Sequence, residues 1–111
     1  MDFVFKNLKR SVVDVARSAG YMIIDSNPNE YNLVRPLAGR GGYPRFHVYL
    51  KQRGVDTIFS LHLDQRKPVY ENSGSHAHSG EYFGPLVQEE ADRIKEILSN
   101  SNEDGNELDY D

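Results

Sequence analysis

Two stretches of alternation between apolar and polar residues constrain the fold of this chain more than any other feature. Residues 45–51 alternate cleanly, and residues 57–64 alternate with Ile58 on the otherwise polar face. Their apolar positions are Phe46, Val48, Leu50, Phe59, Leu61 and Leu63. A period of two is typical of a strand with one buried face. The short connection around Gly54 predicts that the two strands form an antiparallel hairpin.

The register of this hairpin decides which polar residues meet. The two apolar faces must coincide, because a shift of one residue would turn one of them to the other side of the sheet. A two-residue turn sets His47 opposite Ser60 and Arg45 opposite His62, whereas a four-residue loop sets His47 opposite His62 and Arg45 opposite Asp64. Either register puts the two histidine Cβ atoms about 5 to 8 Å apart on the face away from the main core. The predicted polar patch on that face is Arg45, His47, Tyr49, His62 and Asp64.

The segment before the hairpin predicts a helix and two further strands. Residues 3–19 carry apolar side chains at helical spacing, with Asp2 as the candidate N-cap and Gly20 as the left-handed residue at the C-terminus. Residues 21–25 and 31–35 are short apolar runs on either side of an Asn-Pro-Asn turn. They predict a second hairpin.

The segment after the hairpin predicts a long loop, a helix and a tail. Residues 65–84 show little periodicity and predict a loop. Residues 85–98 predict a helix that begins at Pro85 and carries an i,i+4 ion pair between Glu89 and Arg93.

The predicted fold class is therefore α+β, a four-stranded antiparallel sheet flanked by an N-terminal and a C-terminal helix in the order α-β-β-β-β-α, with both helices on one face. We expect one domain over residues 1–98, followed by a disordered acidic tail over residues 99–111.

Composition and charge limit the classes of function. The chain has no cysteine, which excludes disulfides, thiolate metal sites and cysteine nucleophiles and fits a cytoplasmic location. No run approaches the roughly 20 apolar residues of a membrane span, so we expect no membrane association. Residues 1–54 hold nine Lys and Arg against four Asp and Glu, and residues 55–111 hold four against thirteen. The basic N-terminal half makes nucleic acid a candidate partner, and a merely solvated helix surface is the alternative.

The clustering of histidines and acids predicts a divalent-metal site. Candidate metal ligands are two pairs of side chains, each pair two residues apart along the chain: His62 with Asp64, and His76 with His78. Imidazole and carboxylate together suit Zn²⁺ or another divalent transition metal. Three protein ligands and an open position would make a hydrolytic centre. In that centre Glu81 is the candidate general base and Arg45 the group that stabilises negative charge.

Two other interpretations of the histidines stay open. Without a metal, His47 and His62 with Arg45 and Tyr49 are suited to acid–base catalysis, because one imidazole accepts a proton while the other donates one. Alternatively, these are surface histidines of a non-catalytic module that binds nucleic acid or protein. A homodimer formed through the open sheet face or a strand edge is a third possibility for the same surface.

Two stretches resemble known proteins. The segment Ser18-Ala19-Gly20-Tyr21, a helix end followed by a strand, resembles the start of HicA-type toxins, whose double-stranded-RNA-binding-like fold and RNA cleavage the resemblance would imply for about the first 25 residues. That family's Gly-Ser-His lies inside the sheet, whereas here Gly74-Ser75-His76 follows the last predicted strand. A pattern in the second half of the chain resembles one in small uncharacterised microbial proteins, which implies no activity. It consists of His62-Leu63-Asp64-Gln65, Lys67-Pro68 and Ala77-His78-Ser79-Gly80-Glu81-Tyr82.

Overall fold

A computed structural model describes residues 1–37, 42–66, 79–81, 84–100 and 107–109 of the chain. The described residues form seven strands and two helices. In chain order these are β1 (Asp2–Lys6), α1 (Val12–Ala19), β2 (Met22–Asn27), β3 (Glu30–Pro36), β4 (Arg45–Arg53), β5 (Asp56–Arg66), β6 (Ser79–Glu81), α2 (Pro85–Asn100) and β7 (Glu107–Asp109).

All strand pairs of the sheet are antiparallel. The strand order is β2-β3-β4-β5-β1-β7, and β6 pairs with β5 beyond the end of β1. The α+β class, the antiparallel sheet and the presence of two helices are as the sequence predicts. The predicted count of four strands is wrong, because the described residues form five strands of at least five residues and two strands of three residues.

The N-terminal prediction of one helix over residues 3–19 is wrong. Residues Asp2–Lys6 form β1, which pairs with β5 so that Phe3 lies opposite Phe59. The two rings stack with centroids 4.9 Å apart. Asn7 has a φ of 59°, which ends any regular structure before the helix. Burial in β1 alternates with period two, because Phe3 and Phe5 are buried and Val4 between them is only partly buried.

The helix α1 begins nine residues later than predicted and is capped at both ends. Ser11, not Asp2, is the N-cap, because its hydroxyl accepts a hydrogen bond from the Asp14 N–H at 3.1 Å. Gly20 has the predicted left-handed conformation, with a φ of 82°, and the following Tyr21 N–H donates to Ala16 O at 2.8 Å. With Lys6 in β1, the predicted basic helix surface is reduced to the residues of α1 itself.

The central hairpin has one of the two predicted registers. His47 lies opposite His62, and Arg45 opposite Asp64. The loop is shorter than the four residues predicted with this register, because the ladder continues to the pair Arg53 and Asp56. Gly54, the first residue of the remaining two-residue turn, has a φ of 64°, a conformation that these turns require and glycine supplies without strain.

One hydrophobic cluster joins the sheet to both helices. The alternating apolar residues of β4 and β5 are buried, as are Phe3 and Phe5 of β1 and Leu33 of β3. The helices contribute to the same cluster Val12, Val15, Ala16, Ala19, Val87, Ala91, Ile94 and Leu98. The sheet face that points away from this cluster therefore carries Arg45, His47, Tyr49, His62 and Asp64.

The remaining boundaries differ modestly from the prediction. The hairpin of β2 and β3 extends to Asn27 and Pro36, and α2 continues from Pro85 to Asn100. Most of the predicted loop 65–84 and of the predicted tail 99–111 lies outside the described residues. Within them, the backbone of Ser79–Glu81 pairs with β5 and that of Glu107–Asp109 pairs with β1. Neither described helix is long and apolar enough to cross a membrane.

Candidate functional site

Two neighbouring strands bring the candidate site together. His47 on β4 lies directly opposite His62 on β5, and Arg45 lies directly opposite Asp64. Residues two apart on a strand point to the same face, so all four side chains leave the sheet on the side opposite the hydrophobic cluster. The adjoining strand β3 adds Asn32, which pairs with Tyr49 two residues from His47.

Asp64 is the centre of this group. Its Oδ1 lies 2.9 Å from His62 Nε2, and its Oδ2 lies 3.3 Å from His47 Nδ1. The Nε of Arg45 lies 3.5 Å from the same Oδ2, at the long limit of a contact between charged groups. One carboxylate therefore contacts two imidazoles and one guanidinium.

Burial makes these contacts stronger than they would be on an open surface. His47 is 8% exposed and His62 is 6% exposed. Burial alone would raise the pKa of Asp64, but hydrogen bonds from His47 and His62 outweigh it and hold that pKa well below its usual range. Asp64 is therefore a carboxylate, the form that a metal ion binds, throughout the neutral range.

Ring stacking limits the movement of both imidazoles. The ring of Tyr49 lies with its centroid 4.4 Å from that of His47 and 5.5 Å from that of His62. The two imidazole centroids are 4.9 Å apart. Val34, the partner of His47 on β3, is buried on the same face. Three packed rings beside a buried valine make a preorganised group rather than three freely rotating side chains.

The second ring nitrogen of His47 has a defined partner. Its Nε2 lies 3.1 Å from Oδ1 of Asn32. An N–H at Nε2 donates to this amide oxygen when the hydrogen is on that nitrogen. Nδ1 is the ring nitrogen that faces Asp64, 3.3 Å from Oδ2. A metal ligand histidine has this arrangement, with one nitrogen donating to a carbonyl and the other directed at the cation.

The distances agree with the size of a metal site. The candidate ligand atoms of His47, His62 and Asp64 all lie within 4.8 Å of one another. Two ligand atoms about 2.1 Å from a tetrahedral zinc ion lie about 3.4 Å apart. The nitrogen–oxygen distances of 3.3 Å to Oδ2 and 2.9 Å to Oδ1 of Asp64 are close to that separation.

Arg45 lies at the edge of this group. Its guanidinium is 4.5 Å from the centroid of the Tyr43 ring, a cation–π contact that supports its position beside Asp64. The side chain is 21% exposed and faces solvent more than the histidines do. It places a positive charge beside Asp64 at the more exposed edge of the group.

The predicted residues have different outcomes. His62 and Asp64, predicted as ligands, lie together with His47, which was predicted as a catalytic residue. His76 and His78 lie outside the described residues, and their role as ligands stays a prediction. The backbone of Glu81 pairs with Leu63, and its role as a general base also stays a prediction. Asn32 was missed, because its approach to His47 depends on the register between β3 and β4, which no sequence pattern specified.

Comparison with known proteins gives no match. No family model, no curated protein and no solved structure is similar to this chain. Function is therefore inferred from the geometry of the site.

Proposed function

We propose that this protein binds a divalent transition-metal ion, with zinc as the leading candidate, through His47, His62 and Asp64. The observation that supports the proposal is the convergence of three donor atoms within 4.8 Å on two paired strands. Two imidazoles and one carboxylate suit Zn²⁺ and neighbouring first-row ions, whereas Mg²⁺ and Ca²⁺ prefer oxygen ligands alone.

The contact with Asn32 indicates which nitrogen of His47 would bind the ion. The amide oxygen of Asn32 orients His47 so that Nδ1 is the ligand atom, while Nε2 of His62 is the ligand atom on the second ring. With three protein ligands, a fourth position stays open, as in catalytic zinc sites. The predicted ligands His76 and His78 would close that position if either of them bound the ion.

We extend the proposal to metal-assisted hydrolysis of an anionic substrate. A bound ion at this position would supply Lewis acidity. Arg45 would orient the substrate, because its guanidinium lies at the edge of the group and is partly exposed. Metal binding and hydrolysis are tested separately. If the protein binds the ion but hydrolyses no ester, the proposal of metal binding stands and the proposal of hydrolysis is wrong.

Isothermal titration calorimetry of the metal-free protein with Zn²⁺ and with Mn²⁺ tests the binding. We expect one Zn²⁺ per chain for the wild type and no saturable binding for His62→Ala. Ser60→Ala is the matched control, because Ser60 is the preceding residue of β5 on the same face and contributes no ligand. Equal zinc affinity of the His62→Ala and Ser60→Ala variants would contradict the proposal.

Asn32→Ala provides an independent test of the geometry. Loss of a partner that orients a ligand histidine typically lowers metal affinity about 10- to 100-fold without removing a ligand. We therefore expect zinc binding to persist at one ion per chain with a weaker dissociation constant. The double variant His76→Ala/His78→Ala, measured in the same way, determines whether that segment contributes ligands: an unchanged affinity would leave the ion with three protein ligands.

A further inference from the structure

A second group of charged residues lies at the other side of the sheet, around α2. A surface pocket of about 260 Å³ is lined by Arg35, Glu89, Glu90 and Arg93, with three apolar residues beside them. The apolar lining consists of Leu37, Phe46 and Leu86. Phe46 belongs to the hydrophobic cluster, so this pocket and the histidine site lie on opposite faces of the sheet.

Glu90 fixes both arginines of the pocket. Its carboxylate accepts hydrogen bonds from Nε and Nη2 of Arg35, at 3.0 and 2.8 Å. It also accepts hydrogen bonds from Nε and Nη2 of Arg93, both at 2.9 Å. Arg93 Nη2 also donates to Ala19 O at 2.6 Å. These contacts use the same two nitrogens of each guanidinium. The Nη1 group of each arginine takes no part in these contacts. Both arginines line the pocket, so their Nη1 groups are the ones that remain for a ligand there.

Glu89 supplies a separate negative charge. It lines the pocket, is exposed, and makes no hydrogen bond or ion pair with any other described residue. The predicted ion pair between Glu89 and Arg93 does not form, because Arg93 binds Glu90 and Ala19 instead. The four charged lining residues sum to zero formal charge. Glu89 and Arg93 are one turn apart on α2, so a carboxylate without an ion pair lies next to the guanidinium groups at the pocket.

The apolar lining is incompletely covered. Leu37 is 43% exposed and Leu86 is 50% exposed, while Phe46 closes the inner wall beneath the guanidinium of Arg35 at 5.5 Å. A ligand that matches this pocket carries a carboxylate, a cationic group and a short apolar body. The pocket, at about 260 Å³, is smaller than the pockets of about 300–1,000 Å³ that bind drug-sized ligands, so it suits a small molecule.

We propose that this pocket binds a small zwitterion of the apolar α-amino-acid class, with leucine as the representative. The ligand carboxylate accepts hydrogen bonds from Nη1 of Arg35 and Nη1 of Arg93, as carboxylates do from guanidinium groups. The ammonium group faces Glu89. The aliphatic side chain covers Leu37 and Leu86 and removes their exposed surface from water.

NMR titration of the full chain labelled with ¹⁵N tests this assignment with three probes. Two of the probes each lack one charged group of the first. The probes are L-leucine, 4-methylpentanoate, which lacks the ammonium group, and 3-methylbutylamine, which lacks the carboxylate. We expect leucine to give saturable shifts at residues 35–37 and 86–93, with a dissociation constant on the order of 1 mM, as a fragment-sized ligand allows. We expect the amine to bind at least about tenfold more weakly, since it loses two charge-assisted hydrogen bonds.

Glu89→Gln identifies the partner of the ammonium group. Glu89 is exposed and its side chain makes no hydrogen bond or ion pair with the described residues, so we expect its replacement to leave the fold intact. We expect the variant to bind leucine about three- to fivefold more weakly, as loss of an exposed ion pair implies, and to bind 4-methylpentanoate no more weakly than the wild type does. Glu96→Gln, an exposed change on the same helix outside the pocket, is the control and leaves both affinities unchanged.

Three results would overturn the assignment. The first is the absence of any saturable shift up to the solubility of leucine. The second is equal affinity for leucine and 3-methylbutylamine. The third is an equal effect of Glu89→Gln and Glu96→Gln on leucine binding. None of them bears on the metal proposal, because the titrations contain no metal ion and the two sites share no residue.

Discussion

Replacement of Glu90 by glutamine is the perturbation whose magnitude the structure defines best. The Glu90 side chain is 2% exposed, and its carboxylate receives five hydrogen bonds. Four come from Arg35 and Arg93, and the fifth comes from the Tyr21 hydroxyl at 2.6 Å. The carboxylate thereby joins α2 to β3 and to the end of α1. Glutamine keeps the shape but replaces one acceptor oxygen with an NH₂ donor, which cannot accept from either guanidinium.

The pKa of Glu90 gives the size of the effect. Burial would raise that pKa, but hydrogen bonds from Arg93, Arg35 and Tyr21 outweigh it and lower the pKa from 4.5 to about 2. A shift of this size corresponds to about 3 kcal/mol, at 1.36 kcal/mol per pKa unit. Breaking a buried ion pair by removing one partner costs about 3–5 kcal/mol, which agrees. We therefore expect Glu90→Gln to lower the free energy of unfolding by about 3 kcal/mol at pH 7.

The pH dependence follows from the direction of the shift. Because the folded-state pKa lies below the unfolded-state value, the contribution of ionised Glu90 is complete above pH 4.5 and is lost as the pH falls toward 2. At pH 3 about half of it remains. Urea unfolding of the wild type and of Glu90→Gln, followed by circular dichroism at both pH values, measures the two differences.

The reasoning can fail in two ways. A loss of less than about 1 kcal/mol in the free energy of unfolding at pH 7 would show that the five hydrogen bonds stabilise the fold less than the shift in the pKa of Glu90 implies. A cost of equal size at pH 7 and pH 3 would show that the effect of the substitution is steric and not electrostatic. The exposed variant Glu96→Gln, measured alongside, should change the free energy of unfolding by less than about 0.5 kcal/mol.

Two further substitutions test the fold. Ser11→Ala removes the N-cap of α1 and should lower the free energy of unfolding by about 1 kcal/mol in urea titrations; no change would show that α1 does not begin where Ser11 caps it. Leu50→Ala empties a position of β4 that is 0% exposed and should cost about 2–5 kcal/mol in the same assay. Val55→Ala, at a turn position that is 68% exposed, is its control, and equal costs for the two variants would contradict the assigned core.

The alternation in β4 and β5 explains why the centre of the fold could be predicted from the sequence. The period-two pattern of both stretches allowed two registers for the hairpin, and one of these two is the observed pairing of β4 with β5. The prediction for the N-terminal segment was wrong because its apolar pattern fits both a helix and a strand. Phe5, Leu8 and Val12 fit a helical stripe, while Phe3 and Phe5 equally fit a strand of five residues. A segment this short carries too few positions for periodicity to decide, and pairing with β5 decides instead.

Part of the histidine site could be predicted for the same reason. His47, His62 and Asp64 share a face in either register, so their proximity needed no knowledge of the rest of the chain. Asn32 was not predictable, because it reaches His47 only through the register of a third strand. The contacts of Arg35 with Glu90 join residues 55 positions apart and depend on where α2 lies against the sheet. Local sequence contains no signal for such a contact.

The position of a bound ion tests the central claim most directly. Crystals grown with zinc and measured at the zinc absorption edge locate the ion by its anomalous scattering. We predict one peak about 2.0–2.2 Å from His47 Nδ1, His62 Nε2 and an oxygen of Asp64. No peak between these three side chains, or a zinc ion bound elsewhere on the chain while the group keeps its hydrogen bonds, would contradict the account.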